Sequence, residues 1–122
     1  MELRTISICL VTVFLLASGC YYDVEEELYP TIECQTAEMS YMNDILPIIE
    51  ADCMVCHSAA ANFGNITLEG YDQLRKYVDD GSLVGVIRHE GGYSPMPKNQ
   101  AMLLNCEIEK IEAWIADGAL DN

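Results

Sequence analysis

Five consecutive residues, Cys53-Met54-Val55-Cys56-His57, restrict this chain more than any other feature. They put two thiols and an imidazole within little more than one helical turn. Any group that engages all three must lie against that turn, and the rest of the chain must be arranged around it. The residues that lead in, DILPIIEADCMVCH from Asp44 to His57, set Ile45, Ile48, Ile49, Ala51 and Val55 largely on one helical face, which predicts a helix running into the motif. Asp44 is its expected cap. Pro47 then falls in the first turn, where its missing N–H costs no hydrogen bond.

The rest of the sequence reads as short helices joined by turn-rich loops. SAAANFGNITLEG is a loop of small and turn-forming residues, suited to a chain that wraps an irregular object. A second helix is expected from Tyr71 to Val78, ended by Asp79-Asp80-Gly81, and a third from Ser82 as cap to about His89. GGYSPMPKNQ, with two glycines and two prolines, cannot be a regular helix, and Pro95 and Pro97 push their neighbours toward extended backbone around Met96. Asn105 to Asp117 places Ile108, Ile111 and Ala113 to Ile115 in helical register and stops at Gly118, a favourable C′ residue. No alternating run is long enough for a convincing strand and no internal repeat is visible, so the expected fold class is all-α.

At 122 residues the chain has room for one such domain. Its first segment, MELRTISICLVTVFLLASGC, carries one basic residue, an apolar stretch from Ile6 to Ala17 and then small residues before Cys20, the layout of a secretory signal. The apolar stretch is well short of the roughly 20 residues a membrane-spanning helix needs. Leu16-Ala17-Ser18-Gly19-Cys20 resembles the lipobox of bacterial lipoproteins, with Ala17 where Leu is usual. That resemblance implies cleavage before Cys20, lipid on Cys20, and a protein held through its lipid at the periplasmic face of a membrane or at the cell surface. Residues 1–19 are then signal peptide, residues 20–40 an acidic tether containing Asp23, Glu25, Glu26 and Glu27, and residues 41–122 the domain. The net charge of −14 survives the loss of Glu2 and Arg4. It argues against nucleic acid or anionic lipid as a partner and favours proteins with basic docking patches, the plainer reading being that the charge only keeps the protein soluble.

Cys-x-x-Cys-His is the haem c attachment pattern. The two thiols can each bond one vinyl group of a single porphyrin, which makes Cys53 and Cys56 the candidate thioether links and His57 the candidate proximal iron ligand. An exported protein is also where such attachment occurs. Other readings compete. A thioredoxin-like redox pair needs a βαβ setting, which is not visible. A zinc site could recruit Cys34 and Cys106 to a Cys₄ shell, although neither lies in a second C-x-x-C and exported thiols are normally oxidised. A Cys53–Cys56 disulfide would close a strained four-residue loop. For the distal iron position Met96 is the candidate, because the prolines beside it remove conformational freedom and so lower the entropic cost of holding a weak thioether ligand. Met39, Met42, Met54 and Met102 read as core filler. His89 is the rival distal ligand, and its plainer reading is a residue near a helix C-terminus, where positive charge is favourable.

Taken together, Ile45-Leu46-Pro47-Ile48-Ile49 before CMVCH, the Met96-Pro97 dipeptide, and Ile111-Glu112-Ala113-Trp114-Ile115-Ala116-Asp117-Gly118-Ala119 resemble the small monohaem c-type cytochromes, over about Tyr41 to Leu120. The resemblance implies an all-α cytochrome c fold around one covalent haem c, His57 and Met96 as axial ligands, and a last helix carrying Trp114 that packs across the first. It implies an electron carrier exchanging electrons with redox proteins, and no enzyme. The alternatives are a haem enzyme or gas sensor with an open distal site, using residues such as His89 and Glu90, and a cysteine-rich zinc module. Cys34 and Cys106 lie outside the family's motif. With Cys9 in the signal, Cys20 lipidated and Cys53 and Cys56 on haem, a disulfide between them is the expectation.

Overall fold

The computed structural model describes residues 33–122. The signal segment, the lipid-attachment candidate Cys20 and most of the acidic tether lie outside the described residues. The compact unit runs from Cys34 to Asn122, and every regular element among its residues is helical. A π turn at Tyr41–Ile45 leads into α1 (Leu46–Asp52). After a break at Cys53 a single turn, α2 (Met54–His57), carries the second half of the motif. A 3₁₀ turn at Phe63–Asn65 precedes α3 (Tyr71–Asp79), α4 (Ser82–Ile87) and the long α5 (Asn105–Ala116). No helix of the described residues is long and apolar enough to cross a membrane.

The entry helix starts earlier than Asp44. Ser40 is the N-cap: its Oγ accepts the Asn43 N–H at 3.3 Å, while Asp44 Oδ2 accepts the Ser40 N–H at 3.0 Å. Asp44 is therefore the residue that reaches back to the cap, and Ser40 fills the role the sequence reading gave to Asp44. The helix then widens. The Ile45 and Leu46 N–H groups donate to carbonyls five residues back, those of Ser40 and Tyr41. Pro47, which has no N–H to offer, enters directly after this wide turn, so the ladder is already out of α register where its donor is missing. Ile45, Ile48 and Ile49 are buried as the periodicity predicts, but Ala51 is exposed and Val55 is 80% exposed. For Val55 the cause is Cys53, whose φ of −115° interrupts the helix and resets the face that follows.

The core gathers around Trp114, which is fully buried together with Ile108 and Ile111 on α5. Burial of each such side chain contributes about 1.5–3 kcal/mol. Tyr41 stacks on Trp114 with centroids 5.8 Å apart, and Tyr71 meets Tyr41 edge-on at 5.3 Å. The last helix thus packs against the beginning of the first helical segment, where the sequence reading placed Trp114. Met39 is buried, Met54 is half-buried against the core, and Met42 and Met102, expected as core filler, are exposed.

α5 ends in a Schellman arrangement. Gly118, at φ 97°, donates to the Ile115 carbonyl at 3.0 Å and Ala119 to that of Trp114 at 2.8 Å. The tail beyond it is tied down: Trp114 Nε1–H donates to the Leu120 carbonyl at 2.9 Å, and Arg75 donates to the carbonyls of Gly118 and Ala119 at 2.9 and 2.8 Å. Asn122 closes on the start of the unit, accepting from the Met42 N–H at 3.0 Å and, through Oδ1, from the Tyr41 N–H at 2.9 Å. α4 differs from expectation at both ends. Gly81, at φ 77°, precedes its first residue, and Asp80 Oδ1 accepts the Ser82 N–H at 2.8 Å, so Ser82 lies inside the helix and not at its cap. The helix stops at Ile87, two residues before His89.

Candidate functional site: the CMVCH turn and the Met96 loop

The local backbone of the motif follows from the break at Cys53. Its N–H still completes α1 on the Ile49 carbonyl at 3.0 Å, and its own carbonyl accepts both the Cys56 N–H at 3.1 Å and the His57 N–H at 2.9 Å. Cys53 and Cys56 therefore bracket one tight turn, both as free thiols and both half-buried. Burial pushes the Cys53 thiol up to about 11, with the neighbouring Asp52 carboxylate adding to the effect. A dithiol redox pair works the other way, through a thiolate stabilised near neutral pH.

His57 is gripped on two sides by the segment that returns after the loop. Its carbonyl accepts the Leu68 N–H at 2.8 Å, and its Nδ1 lies 3.2 Å from the Ile66 carbonyl oxygen. A carbonyl can only accept, so Nδ1 carries the proton and donates. In the neutral ring this leaves Nε2 with the lone pair. The loop can return because Asn62, Gly64 and Asn65 take φ of 44°, 69° and 58°, the left-handed conformation that Gly and Asn tolerate best. Glu69 pins the same return, its carboxylate accepting the Ala59 N–H at 2.7 Å.

Cys34 and Cys106 are joined as a disulfide, with Cα atoms 5.4 Å apart across 72 residues of sequence. Neither is then available to a Cys₄ zinc shell. Among the described residues no three His, Cys, Asp or Glu side chains converge as a metal-binding cluster.

Met96 is half-buried midway along the loop between α4 and α5, next to a cis peptide bond to Pro97. Its N–H donates to the Val86 carbonyl at 3.0 Å. His89, the rival ligand, has its Nε2 3.0 Å from the Met96 carbonyl and is thereby engaged as a donor to that loop. The stem of the loop is secured by Arg88, whose Nε and Nη2 donate to the two carboxylate oxygens of Glu112 on α5, each at 2.7 Å. That pairing holds the Glu112 carboxyl below its usual range through the hydrogen bonds and the guanidinium charge. Tyr93 lies over Gly85, where a Cβ would overlap its ring.

Three contributors have no signature in the sequence. The carbonyls of Ile66 and Val86 belong to the backbone, which any residue supplies, and the role of Gly85 depends on a neighbour eight positions away. Comparison of the chain with protein-family models, curated proteins and solved structures finds no match.

Proposed function

We propose that the protein is a single-haem c-type cytochrome that carries electrons outside the cytoplasm, held to a membrane through lipid on Cys20. The observation that carries this reading is the state of the motif. Two free thiols bracket one turn, and the next residue is an imidazole whose Nδ1–H is spent on the Ile66 carbonyl, leaving Nε2 as the only ring nitrogen able to bind a metal. This donor set fits haem c, which needs two thioether links and one axial nitrogen on adjacent residues. When bound, haem supplies one-electron exchange between ferric and ferrous iron.

The chain's own residues do the rest. Cys53 and Cys56 would hold the group covalently at the turn that follows α1. The Ile66 carbonyl holds the His57 ring in one tautomer and raises its basicity as a ligand. Met96, with its amide on the Val86 carbonyl, would offer its thioether to the iron from a restrained loop. The all-α architecture, with Trp114 of the last helix packed on Tyr41 at the head of the first, supports a cytochrome c fold. The net charge of −14 supports redox partners that dock through basic patches, with association slowing as salt rises.

Expression of the full chain with a cytochrome c maturation system tests the proposal. The expected product carries one covalent haem and the absorption band of methionine–iron ligation, and Met96→Ala abolishes that band. A chain that matures without covalent haem would overturn the proposal, and persistence of the band in Met96→Ala would overturn the choice of Met96.

A further inference from the structure

Met96 is held by both of its backbone groups, and both holds come from one helix end. Its N–H donates to the Val86 carbonyl at 3.0 Å, and its carbonyl accepts from His89 Nε2 at 3.0 Å. The acceptor is a carbonyl, so the His89 ring must present Nε2 protonated toward it. His89 is the C′ residue of α4, at φ 54°, and its N–H donates to the Val86 carbonyl at 3.3 Å, so the left-handed angle belongs to the helix ending and places the ring where its surroundings hold it. Those surroundings are present. Arg88 is locked to Glu112 by two hydrogen bonds of 2.7 Å, and the Glu90 N–H donates to the Gly85 carbonyl at 2.9 Å. Tyr93 covers Gly85 with no room for a side chain between them. A loop with no task beyond joining α4 to α5 could leave the Met96 carbonyl to water. Here an imidazole is committed to it.

We propose that His89 is a positioning residue for Met96. It fixes the peptide plane that carries the thioether side chain, and thereby sets how easily Met96 gives up a metal that it ligates. The proposal rests on the haem reading above and makes His89 the partner of the distal ligand, in place of its rival.

The test uses the haem-loaded full chain in the ferric state, titrated with imidazole while the methionine–iron band is followed. His89→Asn tolerates the left-handed backbone but its amide is too short to reach the carbonyl. His89→Gln brings an amide nitrogen to about the reach of Nε2. Loss of one neutral hydrogen bond corresponds to roughly fivefold easier displacement of Met96 by imidazole in His89→Asn. His89→Gln is expected to stay within about twofold of the parent by the same reasoning. Displacement in His89→Asn at the parent's imidazole concentration, or equal weakening in both variants, would overturn the proposal while leaving the haem reading intact. A parent that carries haem but lacks the methionine band would overturn the ligand assignment and this proposal with it.

Discussion

Removal of the Cys34–Cys106 disulfide is the perturbation whose size follows most directly from the fold. The bond spans 72 residues of sequence. In the chain-entropy model a closed loop of that length lowers the entropy of the unfolded chain by roughly 15 cal/mol/K, or about 4 kcal/mol at 25 °C. Most of the folded unit lies inside the loop, with all but the first two residues of α5 and the tail outside it, so the constraint acts on the larger part of the unfolded chain. For a domain of this size each kcal/mol moves the thermal midpoint by about 4–8 °C, which gives a loss of roughly 15–30 °C. The assay is thermal and urea unfolding of a Cys34→Ser/Cys106→Ser double variant against the parent, followed by circular dichroism, with Cys53 and Cys56 left in place. A loss below about 1 kcal/mol would refute the reasoning, because the bond would then constrain a denatured chain that was already compact.

Three further outcomes are expected. Trp114→Ala, which empties the centre of the core and leaves the Leu120 carbonyl without its indole donor, should cost about 3–5 kcal/mol in urea unfolding. For the Arg88–Glu112 pair the sign is set by a Glu112 carboxyl lower in the folded than in the unfolded state. Its contribution is complete above the unfolded value and lost as pH falls through the folded one. Glu112→Gln should therefore flatten the acid side of the stability profile and leave the slope above pH 6 unchanged. In protein prepared without covalent modification, alkylation of Cys53 should stay slow at pH 8 and rise only toward pH 11, measured by peptide mass mapping. Fast alkylation of Cys53 at pH 8 would contradict the upward push that burial gives its thiol.

The parts of the fold that were legible in the sequence are those whose cause is local. The apolar spacing of Ile108 and Ile111 announces α5, and Gly118 marks its end because only the left-handed C′ position is needed there. The limits of α3 and the turn character of Asn62 to Asn65 were readable for the same reason. What escaped depends on distant partners. Val55 fits the helical period of the entry helix, yet the break at Cys53 turns it to solvent. Asp44 looks like a cap from its composition, and only the reciprocal contact with Ser40 shows which of the two closes the turn. At the site, CMVCH and the Pro95-Met96-Pro97 setting identify the chemistry-bearing residues by type. The hydrogen bond that selects the His57 tautomer runs to a backbone carbonyl, and His89 is aimed by a left-handed backbone angle, neither of which a side-chain pattern encodes.

The closure of the unit on itself also imposes an order in time. Tyr41 and Met42 are completed by Asn122, and Tyr41 packs on Trp114, so the head of the entry helix waits for residues made some seventy to eighty positions later. Cys53, Cys56 and His57 emerge long before that closure. During this interval the two thiols are exposed on an unfinished chain, more accessible than in the half-buried turn they later form. Any enzyme that must reach them therefore meets them first on the unfinished chain, before the turn half-buries them.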